Sequence, residues 1–254
     1  MTTLHWISHR GVRDTGYTEN TVLAFRLAVS QGFRWLETDL RLSKDDHIVL
    51  SHDPNLMRFT GRHLSLQSQS RAELELVRLP CGQSLLFIDQ FLHEFINEQW
   101  TFDVKPETSR QVLHRLRDIL NQMPLRDQIE RKITFLLWSE RDQRLAEQLF
   151  PQSDFFARRD ECWRAGLSVI LGLPMLSGIK TNKAYALPPK LGPLNLFTPR
   201  IFSAFRQRNA KVIAYLPRNR NDVDTAQHAG ADLILSDSLF LDQAQGLDCK
   251  LSGR

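Results

Sequence analysis

Two histidines, three carboxylates and two basic side chains in the first half of the chain have the types and spacing for phosphoryl chemistry. Glu37 and Asp39 lie two apart in a run with strand character, so both side chains face the same way. A strand that buries two carboxylates needs a counter-charge, because unpaired buried charge is strongly unfavourable. Asp103 and Lys105 repeat this spacing on a second predicted strand. Three carboxylates converging from two strands form an oxygen cage suited to a hard divalent cation. Lys105 beside them would offset charge and meet an anion. The plainer alternative for these groups is a set of salt bridges at a strand rim. His9-Arg10-Gly11 adds an imidazole, a planar fork for phosphate oxygens and a residue that lets the chain turn close to a ligand. His52-Asp53 adds a second imidazole. Two imidazoles can take a proton from a nucleophile and return one to a leaving alkoxide, while cation, Arg and Lys hold the anionic phosphoryl group.

These groups converge only if particular elements carry them. Short apolar runs alternate with helical patterns, as a parallel α/β barrel requires. Strands are predicted at Leu4 to Ser8, Phe33 to Leu42, Trp100 to Lys105, Ile133 to Ser139, Lys211 to Leu216 and Asp232 to Ser236. Strands five and six must fall between Gln152 and Phe197. The candidates there are Phe155-Phe156-Ala157 and Ser168 to Leu171. Helices are predicted over Asn20 to Ser30, with apolar residues at Val22, Phe25, Ala28 and Val29, and through Asp222 to Gly230. Only Ser43 to His47 separate Leu42 from Ile48, too few for a parallel crossover of about a dozen residues. Ile48 to His52 must therefore return antiparallel as a hairpin and bring His52 beside Asp39. That is the face where barrel enzymes keep their active sites.

The chain has 254 residues, with 42% hydrophobic and 24% charged, so it can form one barrel domain spanning residues 1–254. No apolar run approaches the ~18 residues of a membrane span, so stable membrane insertion is not expected. The N-terminal residues lack the basic flank and apolar core of a secretory signal, which points to a cytoplasmic protein. Cys81, Cys162 and Cys249 show no C-x-x-C spacing and read as plain thiols. The net charge is +4 without a dense basic block. That disfavours a nucleic-acid partner and suits either an anionic small-molecule substrate or a solvated basic surface.

The segments His9-Arg10-Gly11, Glu19-Asn20-Thr21, Glu37-Thr38-Asp39-Leu40, Lys44-Asp45 and Val49-Leu50-Ser51-His52-Asp53 occur in order. In this arrangement the chain resembles the glycerophosphodiester phosphodiesterase family. Arg58-Phe59-Thr60-Gly61, Phe102-Asp103-Val104-Lys105 and Gly230 to Asp237 extend the likeness. It is dense over residues 7–105 and thin from about 130 to 210. The resemblance implies a (β/α)8 TIM barrel with a β-hairpin and insert after strand two. It also implies metal-dependent hydrolysis of glycerophosphodiesters to an alcohol plus sn-glycerol 3-phosphate. His9 and His52 would serve as general base and acid. Glu37, Asp39 and Asp103 would hold Mg²⁺ or Ca²⁺, and Arg10 and Lys105 would contact phosphate. Glu19 would support the site by orienting an imidazole or a substrate hydroxyl, its alternative being a helix cap. Two departures stand out. Asp103 replaces the family's Glu, one methylene shorter, so a water or an inward strand shift would have to fill the gap. Ala214-Tyr215-Leu216-Pro217-Arg218-Asn219 replaces the family's W-T-V-N strand end, with Tyr215 as a substitute aromatic wall. Trp138 and Tyr215 either line the pocket or pack the barrel.

Three other readings compete. A lysophospholipase D-type enzyme should carry an apolar lip for acyl chains, expected between Pro54 and Gln99. Phe87, Phe91 and Phe95 lie there, but at a helical spacing that reads first as core packing. A non-catalytic phosphodiester-binding protein has no need of a proton donor and acceptor. A sugar-phosphate isomerase would place a Gly-rich loop after strand seven, and Leu216 to Asn221 contains no glycine.

Overall fold

The computed structural model describes residues 4–13, 17–173, 175 and 177–238. Eight strands run parallel in the wall of a nearly closed barrel. They are β1 (His5–His9), β2 (Trp35–Leu42), β4 (Gln99–Val104), β5 (Ile133–Leu136), β6 (Asp154–Phe155), β7 (Ala184–Leu187), β10 (Lys211–Tyr215) and β11 (Leu233–Ser236). Hydrogen-bonded neighbours follow the order β6-β5-β4-β2-β1-β11-β10-β7. At the seam between the two ends of this path, Ala157 N–H donates to the Ala184 carbonyl at 2.8 Å. β3 (Ile48–Leu50) returns antiparallel beside β2, pairing Leu40 with Leu50 and Leu42 with Ile48. The hairpin predicted from the five-residue connection is therefore present, and Asp46 turns it in the left-handed region at φ 59°. β8 (Lys190–Leu191) and β9 (Leu194–Asn195) form a small separate ribbon.

Helices α1 (Val22–Ser30), α5 (Ser109–Asn121), α7 (Glu140–Leu149), α8 (Arg159–Ile170), α9 (Pro199–Arg206) and α10 (Arg220–Ala229) alternate with the strands. The short helices α2 (Met57–Thr60), α3 (Arg71–Leu76) and α4 (Ile88–Glu94) belong to the insert after β3, and α6 (Arg126–Glu130) precedes β5. Side-chain caps open several of them. Thr21 accepts from Ala24 N–H, Ser139 from Asp142 N–H, Thr198 from Ile201 N–H and Asn219 from Asp222 N–H. α5 buries Val112, Leu113, Leu116 and Leu120, the spacing that turns one helical face to the wall.

Strand alternation sorts the residues into two layers. Leu36, Leu40, Trp100, Phe102, Val104, Ile133 and Phe135 point outward and pack under the helices. Ile7, Ala184, Ile213 and Leu233 fill the barrel axis, with Trp35 and Phe156 against them. Continuing the inward parity toward the C-terminal ends gives His9, Glu37, Asp39, Asp103 and Tyr215. The apolar plug thus ends where the charged residues begin. Phe87, Phe91 and Phe95 are buried, so they form core and not a lip. Cys81 and Cys162 are free thiols, and Cys249 lies outside the described residues. Among the described residues no helix is long and apolar enough to cross a membrane.

One predicted strand is corrected. Ser168 to Leu171 is not strand six but the end of α8. Its inner face holds Ala165, Gly166 and Val169, while Trp163, Leu167 and Leu171 face solvent. Apolar residues on both faces hide the helical period. The true strand, Ala184–Leu187, is short and begins only fourteen residues later, at the far side of a Pro- and Gly-containing loop.

Candidate active site

Register places the acids. Asp39 pairs with Asp103 across β2 and β4, and His9 pairs with Glu37 across β1 and β2. The carboxylate oxygens of Glu37, Asp39 and Asp103 lie within 4.8 Å of one another, all buried. Asp103 reaches this group despite its shorter side chain. Its Oδ1 accepts from Trp138 Nε1 at 2.7 Å and its Oδ2 from Lys105 Nζ at 2.5 Å. Lys105 Nζ also stands 2.7 Å from Asp39 Oδ1, and Arg10 Nε stands 2.9 Å from Asp39 Oδ2. Asn20 Nδ2 donates to Asp39 Oδ2 at 3.1 Å, while Asn20 Oδ1 accepts from Thr38.

Protonation follows from these contacts. Burial would raise the Asp39 carboxyl, but Lys105 and Arg10 override it and leave it below the usual carboxylate range. Glu37 is pushed well above that range by burial and by the neighbouring Asp39. Asp103 is also raised, chiefly by burial. The donor set consists of hard oxygens only, and one member, Glu37, lacks enough positive charge nearby. Both properties fit a divalent cation.

His9 is 5% exposed in its side chain, and its Nδ1 lies 2.6 Å from Asp237 Oδ1. Burial is the main cause that lowers its pKa below the ordinary histidine value. His52 follows β3, where Ser51 N–H donates to the Asp39 carbonyl at 3.1 Å. Its side chain is 42% exposed and its Nδ1 lies 2.8 Å from Asp53 Oδ1. Arg41 grips the His52 carbonyl with Nε and Nη2 at 2.9 and 2.7 Å.

Each histidine thus has an aspartate at Nδ1, and each aspartate has an arginine behind it. Arg13 Nη2 donates to Asp237 at 2.6 Å, and Arg58 Nε donates to Asp53 at 2.7 Å. Both arginines meet on Glu19. Arg13 Nη1 reaches Oε2 at 2.9 Å and Arg58 Nη2 reaches Oε1 at 2.6 Å, with Arg10 Nη1 at 3.2 Å. Burial would raise the Glu19 carboxyl, but Arg58, Arg10 and Arg13 hold it down at about 2. Glu19 is not the helix cap, because Thr21 takes that position. Instead it joins the two His–Asp pairs through two guanidiniums.

The structure therefore brings His9, Arg10, Glu19, Glu37, Asp39, His52, Asp103 and Lys105 to one mouth of the barrel. Trp138 and Tyr215 line an adjacent cleft. Sequence reasoning assigned no role to Asp237, Arg13, Arg58 or Asn20. The adjacency of Asp53 to His52 was a usable signal, and Asn20, Arg58 and Asp237 lie in segments that carry the family likeness, although Asp237 stands 228 residues from His9.

Comparison with known proteins gives the family and the fold. The chain matches the Glycerophosphoryl diester phosphodiesterase family over residues 9–240. Lysophospholipase D GDPD1 of Homo sapiens is 43% identical over 68 residues, 27% of this chain and 21% of that protein. The match thus spans about a fifth of that curated relative's length. The glycerophosphoryl diester phosphodiesterase domain of an uncharacterised Mycobacterium tuberculosis protein superposes with a TM-score of 0.76 at 16% identity, covering 93% of this chain and 96% of that one. An Oleispira antarctica phosphodiesterase solved with the product sn-glycerol-3-phosphate gives 0.70 at 18% identity, covering 92% of each chain.

Proposed function

We propose that this chain, which belongs to the glycerophosphoryl diester phosphodiesterase family, hydrolyses glycerophosphodiesters to an alcohol and sn-glycerol 3-phosphate as a single catalytic domain. The observation that carries the reading is the meeting of two aspartate-held imidazoles with three buried carboxylates at one barrel mouth. The product bound in the Oleispira relative agrees with it. A cytoplasmic location is part of the reading, supported by the free thiols of Cys81 and Cys162.

The difference between the two imidazoles supports a separate part for each. Nδ1 of each faces an aspartate, so Nε2 is the atom left for proton transfer. His9 is buried and disfavours its charged form, which suits a general base toward the attacking hydroxyl. His52 stands at the solvent-facing rim, where it can carry a proton to the departing alkoxide. Arg10 has Nε on Asp39 and Nη1 on Glu19, which leaves Nη2 for a phosphate oxygen. Lys105 brings a second positive charge to the same place. Glu37, Asp39 and Asp103 would hold Mg²⁺ or Ca²⁺, which when bound would neutralise charge on the phosphoryl oxygens.

The test is release of glycerol 3-phosphate by purified protein from a panel of glycerophosphodiesters, with EDTA, Mg²⁺ or Ca²⁺. Turnover should require cation, and His9→Ala and His52→Ala should each lose at least about 100-fold while remaining folded. Full activity in either variant removes the two-histidine mechanism.

A further inference from the structure

Phe87, Phe91 and Phe95 of the insert after β3 are buried, and the apolar surface next to the acidic cluster lies elsewhere. A cleft of about 420 Å³ opens at the barrel seam between β6 and β7. Trp138, Trp163, Leu167, Ile170, Leu191 and Leu196 line it. α8 supplies one wall and the β8–β9 ribbon, with the chain after it, supplies the other. Its inner end is Asp103, a member of the acidic cluster, so cleft and cluster are continuous. Leu171, Leu173 and Met175, which follow the lining residue Ile170 along the chain, are 64%, 52% and 89% exposed. A glycerol diester with a small polar headgroup has no alkyl chain to cover these apolar side chains. The volume lies within the ordinary range for small-ligand sites.

We infer that the cleft receives the single acyl chain of a lysophospholipid whose phosphodiester lies at the acidic cluster. This rests on the phosphodiesterase reading above and names its substrate class. The glycerol would keep a free hydroxyl next to the phosphate for attack. One water is consumed and the phosphorus–oxygen bond to the headgroup breaks. The headgroup alcohol leaves with a proton, and the acylated glycerol phosphate remains. Trp163 and Leu167 are each about half exposed (51% and 50%), so substitutions there leave the barrel core intact.

The experiment compares kcat/KM for glycerophosphocholine with that for lysophosphatidylcholines of graded chain length, each kept below its micellar concentration. Release of choline is followed. The value should rise about fourfold per methylene until the cleft is filled, then level off. Leu167→Asp and Trp163→Ser should lower the ratio of lysophospholipid to glycerophosphocholine kcat/KM at least tenfold. In parallel, tryptophan fluorescence is titrated with alkylphosphocholines of graded length. A shift whose midpoint tightens with chain length supports the cleft, and its loss in Leu167→Asp confirms the location. Turnover of glycerophosphocholine with no chain-length dependence overturns the inference and leaves the diesterase reading standing. If neither substrate class is turned over, that reading fails, and the fluorescence titration alone decides the cleft: a length-independent response overturns it.

Discussion

Replacing Glu19 with Gln keeps the shape and one acceptor of the side chain but removes the charge on which Arg10, Arg13 and Arg58 converge. The folded carboxyl sits at about 2 against an ordinary 4.5. Taken at face value, that difference corresponds to about 3 kcal/mol of stability at neutral pH. Arg13 and Arg58 are 32% and 45% exposed, so solvent screens part of the attraction. A loss of about 1–2 kcal/mol is the expected size. The sign fixes the pH window. A depressed folded pKa contributes its full stability above 4.5, and that contribution disappears as pH falls through about 2. Urea unfolding should therefore separate wild type and Glu19→Gln at pH 7, with the gap closing below pH 4.5. Activity should fall further than stability suggests, because Arg13 and Arg58 lose the anchor that aims them at Asp237 and Asp53. Loss of such an outer support typically costs 10–100-fold. The loss should appear in kcat more than in KM. Unchanged kcat together with an unfolding difference as large at pH 2 as at pH 7 would refute this account of Glu19.

Other outcomes follow from the same contacts. Gly11 has φ 83°, and a Cβ there would sit 2.6 Å from the Ala24 Cβ. Gly11→Ala should therefore lower unfolding free energy by about 2–4 kcal/mol in urea titrations. Adding Mg²⁺ or Ca²⁺ at about a hundred times its Kd should raise stability by about 2.7 kcal/mol, read as a shift in thermal midpoint. Glu37→Gln should abolish that shift. In EDTA the same variant should be about 1 kcal/mol more stable than wild type, since a buried acid beside Asp39 has been removed.

The groups legible in the sequence were those whose placement depends on local spacing. Alternation put Glu37 and Asp39 on one face, and a five-residue connection forced the hairpin that brings His52 back. Asp103 followed because its strand repeats the pattern beside Lys105. What escaped depends on distant contacts. The Arg13–Asp237 bond spans 224 residues, and nothing near either residue announces the other. Glu19 was visible only through family likeness, and its geometry turned out to be a junction of arginines. β7 escaped for another reason. An Ala-Tyr-Ala-Leu run carries little strand character, while the outward leucines of α8 imitated a strand in front of it.

The wall of the barrel divides its labour by position. His9, Glu37, Asp39, His52, Asp103 and Asp237 all stem from the contiguous arc of β11, β1, β2, β3 and β4. The opposite arc, from β6 to β10, contributes the shape of the adjoining cleft. The pairing that gathers the acids, Asp39 opposite Asp103 and His9 opposite Glu37, involves only strands outside that far arc. In this scaffold the shape of the cleft and the position of the acids are set by different strands.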